Sequence, residues 1–461
     1  MSGSGPTRRA LLSAAAAACF VSRRAYASPG VGATLDPTYM LLAALARAAD
    51  LPGFSGGLPA WTTALDALLP KLRGSGAASV LHRLGTTQGL GFEAIPSLAL
   101  HLTGAPEALL APRVDPWPAG LDGRWKGVDL PALTKAVSST AAATRWSSFV
   151  LAQSSILTPL DTALRTEVGR FDLPWLETWF GYPTPGVLQA HPGLLEFPHD
   201  AAARRTGLDP AIRVVLAVTP EGEPFPRAPL RLLQLIARVY LSDFARTHQD
   251  VLQVPMERLY GAVRERALTE GCGDWESLLT QSLIRAIGVR YLVHHDGRSA
   301  ASVEVAAQLD AGFPWVLVLA DTLASYEADR ARFPTFGDFA VELAALFSVV
   351  AGEEEDRAAH RPHVVSVAPD PASLVDPATT TLTITFDRPM VATGWSFVGA
   401  AEERPELGKP SFSADDRTLT LPCRLARGRR YRFTLNGDGA RGFRSADGVP
   451  LDPYRVSFQT R

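Results

Sequence analysis

The chain has 461 residues, of which 46% are hydrophobic and 20% charged, and its formal net charge at pH 7 is −2. This length and composition are typical of a globular protein with two or more domains and a sizeable core. The near-neutral charge balance argues against a general nucleic-acid binder, which would carry a basic excess.

The first 27 residues have the features of an export signal. The pair Arg8-Arg9 precedes an apolar run that ends at Val21, and Ala25-Tyr26-Ala27 has the small-x-small pattern of a cleavage site. This pattern predicts a twin-arginine signal peptide over residues 1–27, and hence a location in the periplasm, at the cell surface or outside the cell. A lipid anchor at Cys19 is the minor alternative. No later segment has the about 20 apolar residues that a membrane span requires.

The chain from residue 38 to residue 350 has the pattern of an α-rich domain. Its apolar residues recur at three- and four-residue steps, and a short apolar run at 213–219 predicts a strand. The predicted helices cover residues 39–49, 58–72, 131–170, 229–252, 256–268, 275–293, 312–328 and 336–350. The charge run Glu353–Asp356 is expected to lie in a linker over residues 351–362.

From His363 onward the pattern changes to alternation of polar and apolar residues. This alternation predicts short strands, with turn residues between them, at 364–367, 381–386, 418–421 and 431–435. Short strands at such spacing are typical of a β-sandwich of about 100 residues.

Residues 363–461 resemble the bacterial Ig-like domains of S-layer and other exported proteins. The most specific motif of this resemblance is Phe386-Asp387-Arg388-Pro389-Met390, and a second one is Ala446-Asp447-Gly448-Val449. The resemblance implies a spacer or adhesion module and not a catalytic domain.

Residues 39–348 resemble a family of exported bacterial proteins of uncharacterised function that is zinc-metallopeptidase-like. The matching stretches are 91–102, 175–181, 275–290 and 312–339. In that family one helix carries H-E-F-x-H and a later helix carries N-E-S-x-V-R-A. Histidines at i and i+4 share one helical face, a glutamate from the second helix completes the zinc site, and the adjacent glutamate activates the bound water.

In this chain other residues occupy the positions that the resemblance assigns to zinc. The first histidine position is Ala237, the glutamate position is Arg238, the second histidine position is Leu241, and the third ligand position is Gln281. Alanine and leucine cannot coordinate zinc, glutamine is a poor ligand, and an arginine would repel a dication. The resemblance therefore implies a degenerate member with vestigial site positions and with no catalytic residues, metal or cofactor.

We therefore predict a multidomain protein: an α-rich (α+β) zincin-like domain over 38–350, a linker over 351–362 and an all-β Ig-like sandwich over 363–461. The expected role is non-catalytic binding or scaffolding in the cell envelope, with an unidentified protein, peptide or envelope component as partner. The missing zinc ligands favour a protein that is not an enzyme over one that is.

Three alternatives stay open at this point. If Arg238 and Arg285 face the former cleft, they are candidate anion-binding residues, whereas the other interpretation pairs them with local carboxylates. A hydrolase with a rearranged site would use scattered histidines such as His191, His199 and His248. In the third alternative the protein acts through its Ig-like domain as an envelope attachment protein.

Overall fold

A computed structural model describes residues 30–107, 111–112, 120–206, 209–370, 374–437 and 440–461. The predicted signal peptide over 1–27, including Cys19, lies outside the described residues. The chain divides into two compact units, which are described separately below. The first unit contains residues up to Asp243 together with Arg330–Phe336, and the second contains Phe244–Asp329 with Gly337–Arg461. Within the described ranges, none of the helices combines the length and hydropathy that a membrane crossing requires.

The first unit is mostly helical. Its helices are α1 (Pro37–Ala48), α2 (Pro59–Asp66), α3 (Leu69–Arg73), α4 (Gly76–Gln88), α5 (Ala94–Leu100), α6 (Leu130–Thr144), α7 (Trp146–Ala152), α8 (Ser154–Gly169), α9 (Leu173–Phe180) and α10 (Ala228–Leu241). A 3₁₀ turn lies at Gly123–Trp125. Local chemistry sets the helix ends: the Asp36 carboxylate accepts hydrogen bonds from the amides of Thr38 and Tyr39, which caps α1. Gly89 ends α4 in the left-handed conformation that glycine adopts without strain.

A four-stranded sheet runs through the first unit. Its strands are β1 (Gly32–Ala33), β4 (Val187–Gly193), β5 (Ala201–Arg205) and β6 (Ala211–Ala217), and a separate two-stranded sheet consists of β2 (Leu102–Thr103) and β3 (Ala111–Pro112). The order is β1-β4-β6-β5, in which β1, β4 and β6 are parallel and β5 runs antiparallel to β6 at the edge. All residues of β6 are buried, as expected for a strand covered on both faces. Helices α5 and α10 pack on β5 and β6.

The segment Arg330–Phe336 returns to the first unit and packs on α9. The Arg330 guanidinium donates hydrogen bonds to the carbonyl of Trp179 at 2.9 Å and to that of Pro334 at 2.8 Å. The Phe336 ring lies 4.9 Å from the Trp179 ring, centroid to centroid. The aromatic stretch around α9 is therefore covered by residues that lie about 150 positions later in the chain.

The second unit begins with six further helices. They are α11 (Phe244–Thr247), α12 (Gln249–Thr269), α13 (Trp275–His295), α14 (Gly297–Asp310), α15 (Val316–Ala328) and α16 (Ala340–Ala359), and a 3₁₀ turn at Phe336–Phe339 precedes α16. The charge run Glu353–Asp356, expected in the linker, forms the later turns of α16. Glu354 is buried there, and it is paired with Arg266 at 3.1 Å and with Arg357.

The rest of the second unit consists of β-strands. They are β7 (Val364–Ala368), β8 (Leu374–Val375), β9 (Thr381–Phe386), β10 (Phe397–Val398), β11 (Glu406–Leu407), β12 (Ser411–Phe412), β13 (Thr418–Arg424), β14 (Arg430–Leu435) and β15 (Tyr454–Thr460). One sheet has the order β10-β14-β15-β8, and the other has the order β11-β13-β9-β7 with β12 paired to β13. Alternate residues of β9, β13 and β14 are buried in one hydrophobic cluster that draws on both sheets. The multidomain α+β architecture agrees with the prediction, and the Ig-like assignment of residues 363–461 stays a prediction.

Candidate functional site

The predicted site positions fall in both units. Ala237, Arg238 and Leu241 lie on α10 in the first unit, whereas Gln281 and Arg285 lie on α13 in the second unit. Ala237 is 0% and Leu241 2% exposed, so both side chains belong to the core of the first unit. Arg238 is exposed on the same helix. Of these three α10 positions, only Arg238 is available to a ligand.

Arg285 is engaged within the second unit. Its Nη2 donates to the Glu270 carboxylate at 2.9 Å, and its Nη1 donates to the Gln308 side chain. The guanidinium also lies 4.1 Å from the centroid of the Phe313 ring. Burial lowers the pKa of Arg285, and the Glu270 carboxylate opposes this shift. These contacts favour local carboxylate pairing over anion binding at Arg285.

Arg238 lines a cavity of about 220 Å³ in the first unit. The other residues that line this cavity come from α5 and the residue before it, from the segment after residue 119 and from the edge strand β5; they are Glu93, Ser97, Gly120, Asp122, Ala201, Ala202, Ala203 and Arg204. We call this space the β5 cavity. Asp200, directly before β5, holds α10 in place, because its carboxylate accepts both the Ala217 amide at 2.8 Å and Arg231 Nε at 2.7 Å.

Most charges around the β5 cavity are already paired. Arg124 donates to Asp122 at 2.6 Å and to Glu93 at 3.1 Å, and Arg204 pairs with Asp243 at 3.1 Å. Burial opposes ionisation of Asp122, but the bonds from Arg124 outweigh it and lower the pKa of this carboxyl.

The surroundings of Arg238 differ from those of Arg124 and Arg204. Among the residues that the structure describes, no carboxylate lies within ion-pair distance of the Arg238 guanidinium. The β5 cavity therefore contains one guanidinium that has no ion-pair partner in the described part of the chain.

A second polar group lies in the interior of the first unit, beneath the N-terminus of α1. Arg213 Nη1 lies 2.7 Å from Asp36 Oδ2, and the Tyr39 hydroxyl donates to Glu196 Oε1 at 2.6 Å. His191 Nδ1 is 2.8 Å from the carbonyl oxygen of Thr34. His191 Nε2 and Arg213 Nε are buried and form no hydrogen bond with any described residue. We call Asp36, Tyr39, His191, Glu196 and Arg213 the α1 polar cluster.

Burial and the Arg213 charge shift the pKa values within the α1 polar cluster. Burial, assisted by Arg213, lowers the pKa of His191 to about 3. Burial raises the pKa of Asp36, but the Arg213 charge and its hydrogen bonds outweigh that effect and the net shift is downward. Burial raises the pKa of both Tyr39 and Glu196. Tyr39, His191, Glu196 and Arg213 are buried and the Asp36 side chain is 20% exposed, so the cluster joins α1 to β4 and β6.

The histidines named for a rearranged hydrolase site have separate surroundings. His191 is in the α1 polar cluster, His199 stacks on Phe92 at 4.6 Å between ring centroids, and His248 lies in the second unit beside Phe244 at 4.8 Å. Across the described ranges, no group of three or more histidine, cysteine, aspartate or glutamate side chains is arranged to hold a metal ion.

Sequence reasoning identified Arg238 but missed the rest of the β5 cavity. The strand Ala201-Ala202-Ala203-Arg204-Arg205 has neither β-branched residues nor alternating polarity, so nothing in its composition predicts a strand. The lining residues are also separated by up to 145 positions, from Glu93 to Arg238, and only the fold brings them together.

No protein-family model and no curated protein matches this chain. Two solved structures are similar to it: the crystal structure of the S-layer protein SbsC, at 17% identity, and a structure of domains 1–6 of surface layer protein SbsC, at 16% identity. Each match covers 52% of this chain and 34% of the other, with a TM-score of 0.18. The chain thus spans about a third of the length of the structures it matches, and at this TM-score the likeness does not establish a shared fold.

Proposed function

We propose that this protein is an exported, non-catalytic binding protein of the cell envelope, and that its ligand carries an anionic group held by Arg238. The observation that carries the proposal is the exposed Arg238 side chain in the β5 cavity, with no carboxylate partner among the described residues. A guanidinium that has no carboxylate partner and lies in a concave site attracts an anion from solution.

The chemistry of arginine favours a carboxylate or phosphate as that group. The guanidinium is planar and always charged, and its parallel N–H donors match two oxygens of either anion. Arg204 provides a second cation in the same cavity. Its pairing with Asp243 is half-exposed, and such pairs contribute only about 0–1 kcal/mol, so a ligand can compete for Arg204 at little cost.

In this proposal the α-rich domain is the zincin-like frame that the family resemblance implies, and Ala237, Leu241 and Gln281 are its vestigial site positions. Arg285 has no part in ligand binding in this proposal, because its Nη1 and Nη2 already bond to Gln308 and Glu270. The Ig-like region over 363–461 is proposed as the spacer or attachment module.

The test is a titration of the purified protein with inorganic phosphate and with acetate. Variant R238Q keeps a polar side chain, although a shorter one, and removes the charge, and R83Q, on the exposed side of α4, is the matched control. We expect the wild type and R83Q to bind equally, and R238Q to bind about 10- to 100-fold more weakly, which corresponds to the loss of a charged hydrogen bond. Equal binding by R238Q and the wild type would refute the proposal.

A further inference from the structure

The β5 cavity lies along the free edge of a strand. Its lining includes the four consecutive residues Ala201–Arg204. Successive side chains of a strand point to opposite faces of the sheet, so a space that touches four in a row follows the backbone edge and not one face. β5 is the edge strand of the sheet, because β6 alone among the described strands pairs with it. The cavity therefore gives a ligand access to main-chain groups as well as to Arg238.

The position of Gly120 shows which residues of β5 have main-chain groups that point away from β6. A Cβ atom placed on Gly120 would be 2.9 Å from the carbonyl oxygen of Arg204 and 3.3 Å from the amide nitrogen of Thr206. Both atoms thus face away from β6. Main-chain groups of a strand point to the same edge at every second residue, so Ala202 also presents its N–H and C=O outward. Among the described residues, none forms a hydrogen bond with these two groups of Ala202.

The cavity also contains a carboxylate with spare acceptor capacity. Glu93 Oε2 accepts from Arg124, and no hydrogen bond to Glu93 Oε1 is formed by any other residue in the described ranges. Glu93 and Asp122 share the single charge of Arg124, which leaves one net negative charge, while Arg238 supplies one net positive charge. A ligand that matches this cavity has one anionic and one cationic group.

We propose that the β5 cavity binds a short peptide with two free termini, of about three residues, as an added β-strand. Its carboxylate contacts Arg238 and its α-ammonium contacts Glu93. The N–H and C=O of its middle residue pair with Ala202, which is the hydrogen-bonding pattern of strand addition. A volume of about 220 Å³ is below the ~300–1,000 Å³ of sites for drug-sized ligands, which fits a short peptide and not a folded partner. This inference rests on the proposed function, because it identifies the ligand of the same anion site.

The experiment compares trialanine with three analogues by calorimetric titration at pH 7. Acetylation of the N-terminus removes the ammonium, amidation of the C-terminus removes the carboxylate, and N-methylation of the middle residue removes the donor to Ala202. We expect each change to weaken binding to the wild type and to R83Q about tenfold. Variant E93Q should bind trialanine about as weakly as the wild type binds the acetylated form, and its circular dichroism spectrum, compared with that of the wild type, shows that it is folded.

Two results would overturn the inference. One is equal binding of trialanine, its acetylated form and its N-methylated form, which would leave an anion site with no peptide recognition and the proposed function intact. The other is that E93Q prefers trialanine over acetylated trialanine as strongly as the wild type does. If trialanine, phosphate and acetate all fail to bind, it is the proposed function itself that fails.

Discussion

His191 is held neutral in the interior of the first unit. Its ring has almost no exposed surface, and the nearby Arg213 guanidinium repels a proton on the ring. The Thr34 carbonyl oxygen, 2.8 Å from Nδ1, fixes Nδ1 as the protonated nitrogen of the neutral ring. His191 therefore joins β4 to the residue that follows β1.

This arrangement makes part of the stability depend on pH. The unfolded chain protonates His191 near pH 6.5, whereas in the folded state its pKa is about 3, so the unfolded state gains more protons as the pH falls between these values. The stabilising contribution is fully present above pH 6.5 and is lost as the pH falls toward 3. Asp36 adds to this loss only below its ordinary pKa, because its folded pKa is lowered. Glu196 has the opposite sign, since its folded pKa is raised.

We predict that His191→Gln, which carries no titratable group, removes this dependence. Relative to the wild type, the free energy of unfolding of the variant should rise by about 1.4 kcal/mol per pH unit as the pH falls from 6 to 4. Urea unfolding of the variant and of the wild type at several pH values measures this difference. A difference that does not change with pH would contradict the assignment.

For Arg238 and Arg285 the sequence left two interpretations open, anion binding and pairing with a local carboxylate. The structure shows different surroundings for the two residues. Arg285 has Glu270 nearby because the chain turns back after α12, and Arg238 faces the edge strand β5. Nothing in the local sequence of either helix distinguishes the two cases. The partner of an arginine depends on tertiary contacts, and a single sequence does not report these.

Individual elements with strong periodicity were predictable. The predicted helices at 39–49 and 275–293 are confirmed as α1 and α13, and the predicted strands at 381–386 and 431–435 are confirmed as β9 and β14. The two strands bury every second residue, as their alternation predicts, whereas α1 and α13 bury residues on more than one face.

The elements that were missed have weak or misleading patterns. The predicted helix over 229–252 ends at Leu241, and two further helices follow it. β5 is rich in alanine and arginine, which favour helix, and it is a strand because β6 provides the hydrogen-bond partners. The charge run 353–356 is helical because Arg266 and Arg357 balance the buried Glu354. Contacts with other parts of the fold determine the secondary structure of these segments, so their composition alone does not predict it.

The buried face of α10 leads to a prediction about the vestigial zinc positions. The triple variant Ala237→His, Arg238→Glu and Leu241→His recreates the H-E-x-x-H spacing, but it places two imidazoles at positions that are only 0% and 2% exposed. Each unsatisfied buried polar group costs about 1–3 kcal/mol, so we expect the triple variant to be destabilised by several kcal/mol.

Urea unfolding, with Arg238→Glu alone as the control, measures this effect. The single variant changes only an exposed side chain and should stay within about 0.5 kcal/mol of the wild type. If the triple variant is as stable as the control, the two positions are not core positions.

In the molecule as a whole, the C-terminal strands carry their own hydrophobic cluster. All its buried members lie between Val375 and Phe458. Contacts from the strands to the helices of the second unit include Arg361 with Asp452 at 2.8 Å and Arg388 with the carbonyl of Ala359 at 3.2 Å. Partly exposed pairs of this kind contribute little to stability.

We predict that a chain ending at residue 362 folds and keeps its phosphate binding, because its truncation removes none of the helical core. If residues 363–461 attach the protein to the envelope, cell fractionation should find the shortened protein in the soluble fraction and the full chain with the envelope. Identical fractionation of the two chains would argue against an attachment role for the β region.

Because Arg330–Phe336 packs on α9, the aromatic surface of α9 is covered only late in synthesis. A ribosome that has released only the first 243 residues has not yet supplied the arginine that binds the Trp179 carbonyl or the phenylalanine that packs on the Trp179 ring. Until residue 336 emerges, the nascent chain carries an uncovered aromatic surface. Such transient surfaces favour aggregation, so the early nascent chain is the form that most needs a chaperone.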